Sequence, residues 1–213
     1  VVIMSAHFGE SCLAWMRSLP DDYMTSKQTV SYVGLFDDVG AEAWYAPAVD
    51  YVKYGRLMYG TGNNLFQPDA QMTRAMFAQV LYALEGAPSV RGLSCPFTDV
   101  GGSWYTDAVI WAYHAGVVAG VSATQFAPNE VLTREQMVTM LYGYAGRDEQ
   151  LSGSDGALAS YQDQASVSDW AREAMAWAVS TGVITGTSTT TLAPQKVGTR
   201  AEVATVLMQF CEQ

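Results

Sequence analysis

Three arginines stand directly behind a threonine in a chain that is otherwise poor in cations: Arg74, Arg134 and Arg200 follow Thr73, Thr133 and Thr199. A guanidinium at the first position of a helix lies beside orphaned N–H groups and the positive end of the helix dipole, so an anion there would meet charge and donors together. Its planar fork also matches a carboxylate better than an ammonium would. The competing reading is an internal ion pair, in which each Arg meets a carboxylate of a neighbouring segment and never touches a ligand. The chain holds 21 acidic and 11 basic residues, so keeping a cation at one register three times marks a selected placement.

The elements that must position these arginines are three runs with one pattern: MTRAMFAQVLYALEG (72–86), LTREQMVTMLYGYAG (132–146) and GTRAEVATVLMQFCE (198–212). The Thr is an N-cap in each, and Gln136 and Glu202 complete capping boxes in the second and third, where the first has Met76. Behind the caps the apolar residues fall at i, i+3, i+4 and i+7: Phe77, Val80, Leu81, Leu84; Met137, Met140, Leu141, Tyr144; Val203, Val206, Leu207, Phe210. Each helix therefore carries one continuous stripe, and three like stripes bury most economically against one another.

Upstream of each run the same landmarks recur. A unit opens with aromatic-x-Asp at Phe36-Asp37-Asp38, Phe97-Thr98-Asp99 and Tyr161-Gln162-Asp163, followed by Trp44, Trp104 or Trp170. These tryptophans recur after 60 and then 66 residues, yet each stands 30 residues before its arginine. Fixed spacing of this kind is the mark of a tandem repeat. From each Trp a second amphipathic helix is expected, stopped at Gly116 and Gly182 by a left-handed cap, with Arg56 at the equivalent place in the first unit. Gly60, Gly120 and Gly186 then mark a positive-φ turn or a close backbone approach, and loops ending in aromatic or Leu-x-Pro lead to the Thr-Arg helix. Asp38, Asp99 and Asp163 are suited to capping a helix or a turn. The boundaries read 1–32 for an N-terminal flank, then 33–86, 87–146 and 147–213 for the repeats.

Composition narrows the function. About half the residues are apolar, no apolar run approaches the roughly 18 residues of a membrane span, and the acidic balance argues against a nucleic-acid or anionic-membrane binder. Cys12, Cys95 and Cys211 are odd in number and far apart, which indicates neither a disulfide framework nor a metal site and fits buried free thiols. No Gly-rich phosphate loop, His-rich cluster or nucleophile elbow is present, and no cofactor is implied. His7 stands without ligand partners, and His114 falls in the last turn of its helix, where a cation suits the dipole. The tryptophans have two readings, as faces for a sugar ring or as core side chains packed with the Ala, Tyr and Trp that follow. Tyr45 and Tyr105 beside them are candidates to line the same surface, which Ala171 in the third unit cannot do.

Aromatic-x-Asp, Trp, Gly, aromatic-x-Pro and Thr-Arg-Ala-Glu, in three tandem copies over residues 33–213, resemble the S-layer homology domain family. The resemblance implies a mostly α fold: three helix-loop-helix repeats in a pseudo-threefold spindle around a central three-helix bundle. It also implies a non-catalytic module, located outside the cell at the bacterial cell wall, that anchors a secreted protein. Its implied partner is an anionic, often pyruvylated, secondary cell-wall polysaccharide held in grooves between repeats, with Arg74, Arg134 and Arg200 at the anionic group. Trp44, Trp104, Trp170, Gly60, Gly120 and Gly186 complete the expected ligand-binding set. Thr-Arg-Ala-Met at 73–76 and Thr-Arg-Glu-Gln at 133–136 depart from the family tetrad, and the weaker first cap predicts that Arg134 and Arg200 matter more than Arg74. The alternative is a protein-interaction module on the same scaffold, with a protein partner recruited through residues 1–32.

Overall fold

The computed structural model describes residues 35–147, 151, 153, 154 and 156–212, and the expected N-terminal flank, with His7 and Cys12, lies outside them. Among the described residues the secondary structure is helical: α1 (Ala46–Tyr54), α2 (Arg74–Leu84), α3 (Thr106–His114), α4 (Arg134–Ala145), α5 (Arg172–Ser180) and α6 (Arg200–Cys211), with short 3₁₀ turns at Gln164–Ser166 and Asp169–Ala171. Among the described residues, extended pairing is limited to isolated bridges.

The caps form as the sequence dictates. Thr73, Thr133 and Thr199 each accept the N–H of the third helical residue, at 3.3 Å, satisfying one orphan donor. Gln136 and Glu202 return the bond to the cap's own N–H at 3.2 and 3.1 Å, completing two capping boxes. All twelve stripe residues are buried, which is why these helices persist at about three turns.

The preceding helices each begin two residues later than the Trp-led pattern suggests. Trp44 and Trp104 lie ahead of α1 and α3, and Trp170 lies in the 3₁₀ turn before α5. Gly116 and Gly182 take φ +70° and +78° just past the ends of α3 and α5, the expected left-handed caps. In the first repeat the chain keeps the same course with Arg56 at φ +58°, a conformation that costs an L-residue about 1–2 kcal/mol.

Two compact units divide the chain: one joins the residues up to Ala70 to those from Thr199, and the other is Gln71–Gly198. In the first, α1 packs on α6; in the second, α2 packs on α3, α4 on α5, and α2 on α4. Within the second unit a ring of backbone hydrogen bonds closes among the residues that precede the three Thr-Arg pairs. Leu132 N–H donates to Met72 at 2.8 Å, Gly198 N–H to Leu132 at 2.8 Å, and Met72 N–H to Gly198 at 3.1 Å. These buried groups find partners that no helix or sheet supplies, and the starts of α2 and α4 are fixed by them.

Candidate functional site

Each loop ahead of a Thr-Arg helix is held by the Asp of its own aromatic-x-Asp. The two oxygens of Asp38 accept the N–H groups of Phe66 and Gln67 at 2.8 and 2.7 Å. Asp99 does the same for Phe126 and Ala127 at 2.9 and 2.8 Å, and Asp163 for Leu192 and Ala193 at 2.8 and 2.7 Å. The second residue of each pair is left-handed, at φ +58°, +58° and +54°, so the carboxylate stabilises a turn that the side chains disfavour. Burial pushes the Asp99 carboxyl up, but the N–H bonds from Phe126 and Ala127 outweigh it and hold the group below its ordinary value. At Asp163 the bond from Leu192 N–H is the largest influence, and the net shift is again downward.

Gly60, Gly120 and Gly186 are explained by closeness, since none has a positive φ. A Cβ at Gly120 would run into the carbonyl oxygens of Ser122 and Gln125 and the ring of Phe97. At Gly186 it would meet the corresponding carbonyls of Ser188 and Thr191 and the ring of Tyr161; at Gly60, the Phe36 ring and the Leu65 carbonyl. The aromatic of aromatic-x-Asp therefore lies flush against a bare backbone. Phe36 and Phe97 also pack on the loop aromatics Phe66 and Phe126 at 5.4 and 5.7 Å between centroids.

The arginines cross from one repeat into the loop of another. Arg74 Nε donates to the Phe126 carbonyl at 2.9 Å and Nη2 to Ala119 at 3.4 Å. Arg134 reaches Leu192 and Thr185 at 3.2 and 2.8 Å, and Arg200 reaches Phe66 and Tyr59 at 2.7 and 2.6 Å. The guanidinium also lies over the Phe126 ring in the first junction and over Phe66 in the third, at 4.7 and 4.5 Å, and Leu192 offers no ring to Arg134. Burial lowers the pKa of Arg74, opposed by Glu130 and Asp99, and that of Arg200, opposed by Asp38.

The helix starts themselves differ from expectation. The first two N–H groups are not open to an anion: Arg74 and Ala75 donate to the Glu130 and Pro128 carbonyls, both at 3.0 Å. Arg134 and Glu135 donate to Lys196 and Pro194 at 2.9 and 3.0 Å, and Arg200 and Ala201 to Ala70 and Pro68 at 2.9 and 3.0 Å. With the third N–H taken by the Thr cap, the first turn is sealed by protein acceptors. Of the arginine side chains themselves, Arg74 and Arg134 are buried and Arg200 is half-buried.

The tryptophans are outside. Trp44, Trp104 and Trp170 are 66, 61 and 58 % exposed, whereas Trp111 and Trp177 fill the core positions. Tyr45 and Tyr105 brace the first two edge-on, at centroid distances of 5.3 and 5.1 Å, and Ala171 is buried in the third. Exposing the largest apolar side chain at one register three times is costly to solubility and favours a role in contact.

Two features escaped the sequence reading. The carbonyl that receives each Arg Nη2 belongs to Tyr59, Ala119 or Thr185, the residue before the tight glycine, and no side chain marks it. Glu135 is 2 % exposed and accepts from Ser168 N–H at 3.0 Å, Ser168 Oγ at 2.8 Å and Gln195 Nε2 at 2.7 Å. The departure from Thr-Arg-Ala was the visible signal; its partners were not visible. His114 takes its expected place and its Nε2 lies 2.8 Å from the Ser94 carbonyl, while Cys95 is half-buried and Cys211 buried.

A family model described as S-layer homology domain matches residues 35–78, 96–138 and 160–204, more than half of the chain. The protein belongs to the S-layer homology domain family, and with it to a class of binding module that associates with the cell surface. Similar proteins include the exoglucanase XynX of Acetivibrio thermocellus, 28 % identical over 84 % of this chain and 16 % of its own length. An S-layer protein of Bacillus thuringiensis subsp. finitimus is 26 % identical over 84 % of this chain and 21 % of its own. The surface-layer 125 kDa protein of Lysinibacillus sphaericus is 32 % identical over 73 % of this chain and 13 % of its own. The chain thus spans about a fifth or less of the length of these relatives. No described helix is long and apolar enough to cross a membrane.

Proposed function

We propose that this chain is a non-catalytic module that anchors a secreted protein to the bacterial cell wall by binding an anionic, pyruvate-bearing secondary cell-wall polysaccharide at the junctions between repeats. The observation that carries the reading is the trio of exposed tryptophans at one register. Each belongs to a repeat whose loop receives an arginine from another: Trp104 with Arg74, Trp170 with Arg134, and Trp44 with Arg200. An indole face stacks on the apolar face of a sugar ring, and a guanidinium pinned through two of its N–H groups is preorganised, so little entropy is lost when it meets a carboxylate. Two of the relatives carry S-layer or surface-layer names, which supports the same assignment.

The test is titration of purified wall polysaccharide against the wild type and the Trp44→Ala, Trp104→Ala and Trp170→Ala variants. At least two variants should bind about five- to a hundredfold more weakly, as expected for loss of roughly 1–3 kcal/mol of stacking, with melting temperature unchanged because the side chains are exposed. Equal affinity across the wild type and all three variants would remove the tryptophans from the site.

A further inference from the structure

The three junctions share one backbone and differ in the residue directly behind the arginine: Ala75 in the first, Glu135 in the second and Ala201 in the third. We propose that Glu135 closes the second junction into a structural joint, so that anionic glycan is held at the Arg74 and Arg200 junctions and not at Arg134. This rests on the polysaccharide reading above.

Three observations lead there. First, the carboxylate is withdrawn from water and saturated by three donors, two from Ser168 and one from Gln195, whose Nε2 also reaches the Ser166 carbonyl at 3.2 Å. Ser168 stands two residues before Trp170, and Gln195 directly follows the Pro of the loop that Arg134 grips. The network therefore ties the helix start to both sides of the third repeat. Second, the corresponding places in the first junction are Ala75, Gly102 and Asn129, and a Cβ at Gly102 would meet nothing within 4 Å. Those residues cannot form the network, and open space lies at that glycine. In the third junction Ala201 faces the same register, and its carboxylates Glu42 and Asp69 are exposed, where water and salt screen them.

Third, charge works against an anion at the second junction. Glu135 brings to the second junction a buried carboxylate that Ala75 and Ala201 do not bring to the other two, and its negative charge repels a further anion there. Arg200 is the least enclosed of the three arginines, while Arg74 and Arg134 are equally buried and make the same two bonds to carbonyls, so what separates those two junctions is Glu135. This reverses the ranking drawn from the caps alone, which favoured Arg134 over Arg74.

Calorimetric titration with a methyl glycoside bearing a pyruvate ketal reads the number of sites directly. The wild type should bind two per chain. Arg134→Ala should keep both sites with affinity within about twofold, whereas Arg74→Ala and Arg200→Ala should each lose one. Glu135→Ala, which imports the residue of the other two junctions, should gain a third site, and Glu135→Gln, which preserves the shape, should gain at least weak binding there. Loss of a site in Arg134→Ala, or an unchanged site number in both Glu135 variants with the fold intact, overturns the proposal. A wild type that binds no ketal sugar overturns the polysaccharide reading and the assignment of Arg74 and Arg200 with it. The joint is then judged separately by melts of Glu135→Ala, Ser168→Ala and the double variant: strong non-additivity supports it and simple additivity removes it.

Discussion

Replacing Asp99 by Asn is the sharpest perturbation of the loop that the arginines grip. The two carboxylate oxygens hold Phe126 and Ala127 N–H groups at 2.9 and 2.8 Å, and Ala127 is left-handed. A hydrogen bond to a charged acceptor contributes about 1.5–3 kcal/mol. Asn keeps one oxygen and turns an NH₂ toward the other N–H, so one bond is lost and replaced by a repulsive contact, which water at this half-buried place partly relieves. The expected loss is about 2–3 kcal/mol at pH 7, or roughly 4–12 °C in melting temperature for a chain of this size. The pH dependence gives a second check. The Asp99 carboxyl is held below its ordinary value, so its contribution is complete above the unfolded value near 4 and is lost as pH falls through the lower folded value. Thermal melts from pH 7 to pH 2 should therefore show the gap between wild type and Asp99→Asn closing below about pH 4. Asp37→Asn, at an exposed bond to Asn64, is the control and should change little. A gap that persists undiminished at the lowest pH would refute the clamp.

Other perturbations follow from single contacts. Gly120→Ala should cost about 1–3 kcal/mol in chemical denaturation, because the new methyl overlaps two carbonyl oxygens and the Phe97 ring. Arg56→Gly should raise the melting temperature by a few degrees, relieving roughly 1 kcal/mol of left-handed strain; a lower value would mean that the Arg56 side chain makes up the difference. Burial pushes the Asp50 carboxyl up to about 6, with Lys53 opposing. The group therefore favours the folded state below about pH 4, and that contribution is lost as pH rises through 6. Asp50→Asn should accordingly stabilise the protein at pH 7 more than at pH 4.5, and equal effects at both would remove burial as the cause.

The helices were legible because their signals are local. Thr133 with Gln136, or Leu141 with Met137 and Tyr144, declare a cap and a face through spacing along one segment. The site was legible only as residue types. Arg74 was found, but its acceptors lie 45 and 52 residues away and are backbone carbonyls, which carry no side-chain mark. For the same reason the helix-start N–H groups looked open to an anion: their acceptors Pro128, Pro194 and Pro68 belong to other repeats. Trp104 and Trp111 are both tryptophans near one helix, and only the point at which α3 begins decides that one faces water and the other the core.

Co-sedimentation with purified bacterial wall sacculi, before and after extraction of the secondary polysaccharide, tests the anchoring account most directly. The wild type should pellet with intact sacculi, remain in solution with extracted ones, and be released from intact sacculi by added soluble polysaccharide. Equal pelleting with intact and extracted sacculi, undisturbed by the soluble polymer, would contradict the account and direct attention to a protein partner.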